Sequence, residues 1–419
     1  MKQNVVLALA VAAAVAAPGA FATNGYFQHG YGIKAQGMAG AGVAYSQDAL
    51  AAATNPAGMV MVGNRWDLGA TLFQPNRDTS IVGNGSVGTV SYDPNKDDLF
   101  LVPEFGYNTM LNSNSSFGVS VYGNGGMNTS YKTPIGLFGS TNAGVDLSQL
   151  FIAPTMAWKL SNEHSVGVAV NFAYQRFKAT GLQNFTTSSS SGSNLTDNGY
   201  DDATGWGARI GWVGKMSSTV TLGATYQTET NMSKFDKYQG LFAEQGNFDI
   251  PSNYAVGIAI NATPATVVAL DIEKIKYTDS KAVSNPLENL TVSGNLLGSN
   301  DGAGFGWQDI TVYKLGVQHQ VNSNLVVRAG WNHGDQPIPA SQTLFNLLAP
   351  GVIEDHLTLG ATWKLDKASE MSAMYMHAFS NKVNGSSSIP PGAPPGFGGG
   401  EANLEMDQNS LGIAYGKTF

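Results

Sequence analysis

Fourteen stretches of this 419-residue chain alternate apolar residues with small or polar ones at a period of two. In Ser165–Tyr174, one face carries Val166, Val168, Val170, Phe172 and Tyr174, and the other carries Ser165, Gly167, Ala169, Asn171 and Ala173. Thr219–Gln227 and His356–Leu365 repeat the pattern. A period of two is the mark of a strand with two unlike faces. The face opposite the apolar one is small and polar instead of charged. Charged residues are only 12% of the chain, against roughly 25% in soluble domains. A soluble sandwich would show more Lys, Glu and Asp on that face. Segments of this kind, apolar outside and small-polar inside, suit a transmembrane β-barrel.

The segments fall at about 64–75, 99–109, 115–124, 149–160, 164–177, 204–214, 218–229, 250–262, 265–277, 307–320, 324–333, 356–365, 369–380 and 407–419. The connections alternate between tight turns, such as Thr263-Pro264, and long loops, such as 178–203. An even strand number with long loops at one end and tight turns at the other is the barrel rhythm. The fold class expected is therefore all-β, a 14-stranded antiparallel transmembrane barrel.

The N-terminus places this barrel. Lys2 precedes the apolar run Val5–Ala17, and Ala20-Phe21-Ala22 offers small residues where a signal peptidase reads. We read 1–22 as a secretory signal peptide; at 13 residues the run is short of a membrane helix, which needs about 20. No later stretch reaches that length, and only helices and closed barrels satisfy their backbone in lipid. The chain has no cysteine, so disulfides, thiolate metal sites and a cysteine nucleophile are excluded. A net charge of −8 argues against a nucleic-acid partner held by phosphate contacts.

Residues 23–63 precede the first strand and are rich in Gly and Ala without alternation. Within them lie Asn24-Gly25-Tyr26-Phe27, the run Gly32–Ala44, Asp48-Ala49 and Asn55-Pro56-Ala57-Gly58. Together with the strand count, the loop rhythm, the terminal Phe419 and the segment Asp335–Ala340, this resembles the FadL-type family of outer-membrane transporters, which take up long-chain fatty acids or aromatic hydrocarbons. The resemblance implies three units: the signal peptide (1–22), an N-terminal hatch plugging the lumen (23–63) and the barrel (64–419). It implies multi-pass placement in the bacterial outer membrane after cleavage. It also implies passive uptake of hydrophobic molecules, long-chain fatty acids first, through an apolar pocket and a lateral opening in the wall. Neutral aromatic or aliphatic hydrocarbons by the same route are the alternative, and a general diffusion porin is the alternative of another class.

The site residues follow from the same resemblance. Asn55, Pro56 and Ala57 match the family's hatch motif, near a kink in the third strand; alone, the tripeptide reads as a plain turn. Gly123, Asn124, Gly125 and Gly126 would form that kink and the opening, since Gly in a strand interior marks a bend or close approach; starting the next loop is the other reading. Arg176 resembles the fifth-strand arginine that meets a carboxylate head group, although strict alternation puts it on the outward face, at the lipid rim. Gln308 stands where a second basic residue is expected, a departure that favours the neutral ligand. In the outer loops, Phe235, Tyr238, Leu241 and Phe242, at helical spacing, and Leu344, Phe345, Leu347 and Leu348 form apolar patches. These suit a first ligand groove, or loops packing on one another.

No nucleotide, metal or catalytic motif stands out. The six histidines lack the spacing of a zinc site, so no cofactor, metal or enzymatic activity is expected. Asp93, Asp97 and Asp98 are read as a solvated cluster, with a divalent ion against lipopolysaccharide as the other use. The partners expected are the hydrophobic ligand and the outer-membrane lipid with its lipopolysaccharide. A barrel with its own side exit is expected to be a monomer.

Overall fold

The computed structural model describes residues 23–392 and 397–419; the expected signal peptide lies outside them. Fourteen antiparallel strands form the wall: β1 (Arg65–Asn84), β2 (Phe100–Asn112), β3 (Ser115–Ser130), β4 (Gly144–Lys159), β5 (His164–Thr180), β6 (Asp201–Lys215) and β7 (Val220–Gln227), then β8 (Asn253–Thr263), β9 (Thr266–Ile275), β10 (Ile310–Gln320), β11 (Leu325–Gly334), β12 (Asp355–Lys364), β13 (Ser369–Asn384) and β14 (Glu401–Thr418). Each pairs with the next, and β14 closes on β1 from Arg65↔Thr418 to Val82↔Glu401. Every expected strand is present. Two further short strands, Gly88–Tyr92 and Asn231–Met232, pair with β1 and β6.

The lipid-facing alternation is as the sequence implies. Val168, Val170, Ile210, Leu357, Leu359, Leu411 and Ile413 are exposed, while Ser165, Ala169, Asn171 and Ala173 are buried inside. The strand ends differ most at the outer rim, where β1 runs to Asn84 and β14 starts at Glu401. There the exposed Asn76 and Asp78 alternate with the buried Arg77, Thr79 and Ile81. Above the lipid the outward face is polar, so the apolar-out signal fades while the ladder continues.

Residues 23–63 are almost entirely buried and pack against the inner wall. They contain only short turns of helix, Ile33–Gln36, Ala51–Ala53, Pro56–Gly58 and Met59–Val62. Backbone groups without helix or ladder partners must be satisfied some other way, and inward side chains of the wall do this. Glu104 accepts from the N–H groups of Gly32 (3.1 Å) and Ile33 (3.0 Å). Asp271 accepts from Gly42 (2.7 Å) and Val43 (2.9 Å). Thr358 takes the Ala39 N–H at 2.9 Å.

Close approach requires wall positions without a side chain. A Cβ on Gly106 would fall 2.5 Å from the backbone of Ala49, and one on Gly223 2.3 Å from the Val43 carbonyl oxygen. Gly106→Val is expected to push Ala49 off the wall and destabilise the folded barrel by roughly 1–3 kcal/mol, the usual cost of overpacking. Heat-modifiability on gels should show a lower transition temperature than wild type; an unchanged one contradicts this contact.

The wall ladder opens between β2 and β3. Their pairing stops at Phe105↔Val121. Above this point β2 stays paired with β1 through Phe73↔Phe100. β3 stays paired with β4, with a bulge at Asn124, but it bends into the lumen. Gly125 bridges Phe27, the Gly126 N–H donates to the Tyr26 carbonyl at 3.0 Å, and the Gln28 N–H donates to the Asn124 carbonyl at 3.3 Å. Burial stops alternating from Ser120 to Met127, as expected of a strand with protein on both faces.

Candidate functional site

The outer loops form an apolar cap over the barrel mouth. Phe177, Phe242, Phe185, Phe345, Leu241, Leu297 and Leu348 are among the residues lining a narrow slot of about 40 Å³. A slot this thin must be parted by an entering ligand. The expected loop patches are brought together, but they are mostly buried: Phe235, Tyr238, Leu344 and Leu347 pack behind the lining. No single helix carries Phe235–Phe242. A turn at Asp236–Tyr238 is followed by another at Ala243–Gly246, where Glu244 and Gln245 take left-handed φ.

From the slot a ladder of rings descends into the lumen. Ring centroids are 4.7 Å apart for Phe177–Phe242, 4.9 Å for Phe242–Phe248 and 6.2 Å for Phe248–Tyr26. Tyr26 also packs on Tyr277 and Trp307. Burial holds its hydroxyl well above the ordinary tyrosine range, so it stays neutral.

Below the ladder the lumen turns polar. Gln175 on β5 donates to the Phe248 carbonyl at 2.9 Å. Arg209 on β6 is buried; its Nη2 donates to Gln227 Oε1 at 2.7 Å, and its Nη1 to the Thr54 carbonyl at 3.1 Å. Asn171 Nδ2 donates to the same Gln227 oxygen at 3.2 Å. Arg209 Nε, Gln227 Nε2 and Asn171 Oδ1 are buried without a partner among the described residues. Of the other buried cations, Lys34, Arg65 and Lys314 have ion pairs, whereas Arg77 and Arg328, like Arg209, are held by hydrogen bonds alone; Arg209 is the one beside the ring ladder that keeps an unpartnered N–H among the described residues. Lys34 and Arg65 pair with Glu370, and Lys314 pairs with Glu273. Arg328 donates to Gln47 and Thr362. Burial, then the charge of Lys314, pulls His29 down to about 4, so it adds no charge. Arg209 has no ion pair among the described residues. A buried charge without a counter-ion is costly.

Arg176 is not part of this polar cluster. It stays on the outward face, with its guanidinium 3.5 Å from the centroid of the Tyr200 ring. No bulge interrupts β5–β6 pairing there, so the strand keeps the outward parity that strict alternation gives it. Gln308 is exposed. The inward residue missed in the sequence was Arg209, although Trp206 and Ile210, both lipid-facing, fix its parity.

The hatch motif is also placed differently from expectation. Pro56 opens a 3₁₀ turn capped by Asn55 Oδ1, which accepts from the Ala57 N–H at 3.1 Å. Asn55 Nδ2 donates to the carbonyls of Val43 (2.7 Å) and Trp212 (3.0 Å). Gly167 on β5 and Gly211 on β6 let the motif against the wall. It therefore sits on β5–β7, while the β3 bend at Gly123–Gly126 holds Tyr26–Gln28 instead. Asp93 pairs with Lys132 at 2.6 Å, and no group of three potential metal ligands occurs among the described residues.

A family profile described as "Outer membrane protein transport protein (OMPP1/FadL/TodX)" matches residues 9–409. The chain belongs to the FadL/TodX family. Like its relatives it is an outer-membrane barrel that transports hydrophobic compounds. The P. putida toluene transporter TodX superposes with a TM-score of 0.69 at 19% identity, over 93% of this chain and 99% of TodX. A Pseudomonas aeruginosa FadL homologue gives 0.71 at 14% identity, over 94% and 100%. The Ralstonia pickettii toluene transporter TbuX gives 0.62 at 16%, over 93% and 99%. At such identities the likeness concerns the fold. No curated protein sequence matches this FadL/TodX-family chain.

Proposed function

We propose that this chain carries long-chain fatty acids from the cell exterior to the side of its barrel. The observation that carries the reading is Arg209, a buried cation without a counter-charge below an apolar slot and a ladder of rings. The tail would displace water from the slot, at about 25 cal/mol per Å² of apolar surface. The carboxylate would accept from the two unpartnered donors of the cluster, Arg209 Nε and Gln227 Nε2. Exit would follow the gap between β2 and β3 into the membrane, driven by the ligand gradient, and a monomer suffices.

The second reading is a neutral aromatic hydrocarbon. The slot's wholly apolar lining supports it, and two relatives of the same fold are described as toluene transporters. Equilibrium binding in detergent of a long-chain fatty acid against toluene separates the two. Preference for the acid that fades as pH falls below the ligand's carboxyl pKa is expected; equal or better toluene binding, flat with pH, moves the protein to the hydrocarbon branch.

A further inference from the structure

The gap between β2 and β3 exposes two strand edges to each other at membrane depth. Unpaired N–H and C=O groups there favour pairing, so something must hold the edges apart. Below, the ladder at Phe105↔Val121 fixes the gap's foot. Midway, the hatch holds Gly125 and Gly126. At the top stands Arg77, an inward residue of β1 only 1% exposed.

Arg77 reaches past β2 altogether. Its Nη1 contacts the carbonyl oxygen of Asn128 on β3 and lies 3.2 Å from Asn128 Oδ1. Its Nη2 donates to the Asp97 carbonyl at 2.7 Å, and its Nε to Asn95 Oδ1 at 3.1 Å. Asn95 binds the backbone of Arg77 on one side and bridges Ser130 of β3 on the other. The segment 93–98 thus fills the wall above the gap, and one guanidinium ties it to both neighbouring strands.

We propose that Arg77 is the lintel of the lateral opening, a positioning residue that keeps the upper end of β3 away from the free edge of β2. The inference rests on the lateral-exit reading above and adds the residue that sets the opening's state. The backbone bonds of Ser130 to Pro94 and Lys96 hold the very top of β3; without the guanidinium the stretch below them, at Asn128, loses its tie to β1 and can move toward Phe100–Glu104. Lysine cannot replace it, because one ammonium does not reach Asn95, Asp97 and Asn128 together as a planar fork does.

The test uses full-length Arg77→Met, Arg77→Lys and Asn95→Ala, with two measurements. In proteoliposomes loaded with a fatty-acid-responsive dye, influx should fall at least tenfold in Arg77→Met and in Arg77→Lys, and less in Asn95→Ala, while the detergent Kd stays within twofold of wild type. Hydrogen exchange over residues 99–104 should slow in the two Arg77 variants as the edges pair. Unchanged or faster exchange there overturns the lintel. Slower exchange with unchanged influx keeps the lintel but removes the lateral exit. Asn95→Ala covers the case in which the Arg77 variants fail to fold: it removes the side chain that accepts from Arg77 Nε and donates to the Arg77 carbonyl, so wild-type exchange and influx in it count against the proposal.

Discussion

Replacing Asn55 by Leu is expected to unplug the barrel to ions. The Asn55 side chain donates to Val43 and Trp212 carbonyls and caps the Ala57 N–H, all in buried surroundings. Leucine is of similar size but satisfies none of them. Each buried backbone group left without a partner costs about 1–3 kcal/mol, and at least the Val43 carbonyl and the Ala57 N–H lose theirs. A loss of about 3 kcal/mol in hatch docking raises the undocked population roughly 100-fold. Planar-bilayer recordings should show frequent openings in Asn55→Leu where the wild type stays closed. Asn55→Asp should be milder at the cap, because its oxygen still accepts from Ala57, but it too loses the Val43 contact. Wild-type conductance in the leucine variant would show that the wall carboxylates Glu104 and Asp271 hold the hatch without it.

That prediction concerns a segment whose position was only partly legible. The barrel was readable because lipid outside and packed hatch inside force every strand into the same two-faced pattern. At Val168 and Val170 the outward face is apolar, and at Ala169 and Asn171 the inward one is small or polar. The reading thins wherever lipid stops dictating the outside, as at Asn76 and Asp78 of β1. The hatch has no period, so Asn55-Pro56-Ala57 could be recognised as a motif but not assigned a wall; its place on β5–β7 follows from the glycines at 167 and 211, which are far away in sequence. Gly123–Gly126 marked the bend, yet the partner that holds it, Tyr26–Gln28, is a matter of tertiary pairing. Arg176 carries two readings that pull apart. Alternation alone put it outside, and the family resemblance argued it inward. The same alternation, applied one strand later, puts Arg209 in the lumen.

Arg209→Met therefore offers the sharpest test of the ligand's chemistry. In the empty protein the substitution removes a buried charge with no counter-ion but leaves the Thr54 carbonyl without its donor, a cost of about 1–3 kcal/mol; the two oppose each other, so the unliganded stability should change little. With a fatty acid bound, the same substitution removes one partner of a buried, hydrogen-bonded charge pair, which costs about 2–4 kcal/mol, or roughly 30- to 1,000-fold in Kd. A large loss of affinity beside a small change in unliganded stability separates loss of a binding contact from general damage. Wild-type melting temperature should rise with fatty acid, since a ligand at 100 times its Kd stabilises the fold by about 2.7 kcal/mol; in Arg209→Met that rise should vanish while the unliganded melting temperature changes little. Toluene, with no charge to place, should bind both proteins alike. Arg176→Ala is the control: its guanidinium lies over Tyr200 on the outer face, so fatty-acid affinity should stay within about twofold, the range expected when no bound charge pair is broken. A collapse of affinity in Arg176→Ala with none in Arg209→Met would return the head group to the rim of the barrel, and the polar cluster would then be a hydrated floor to the pore.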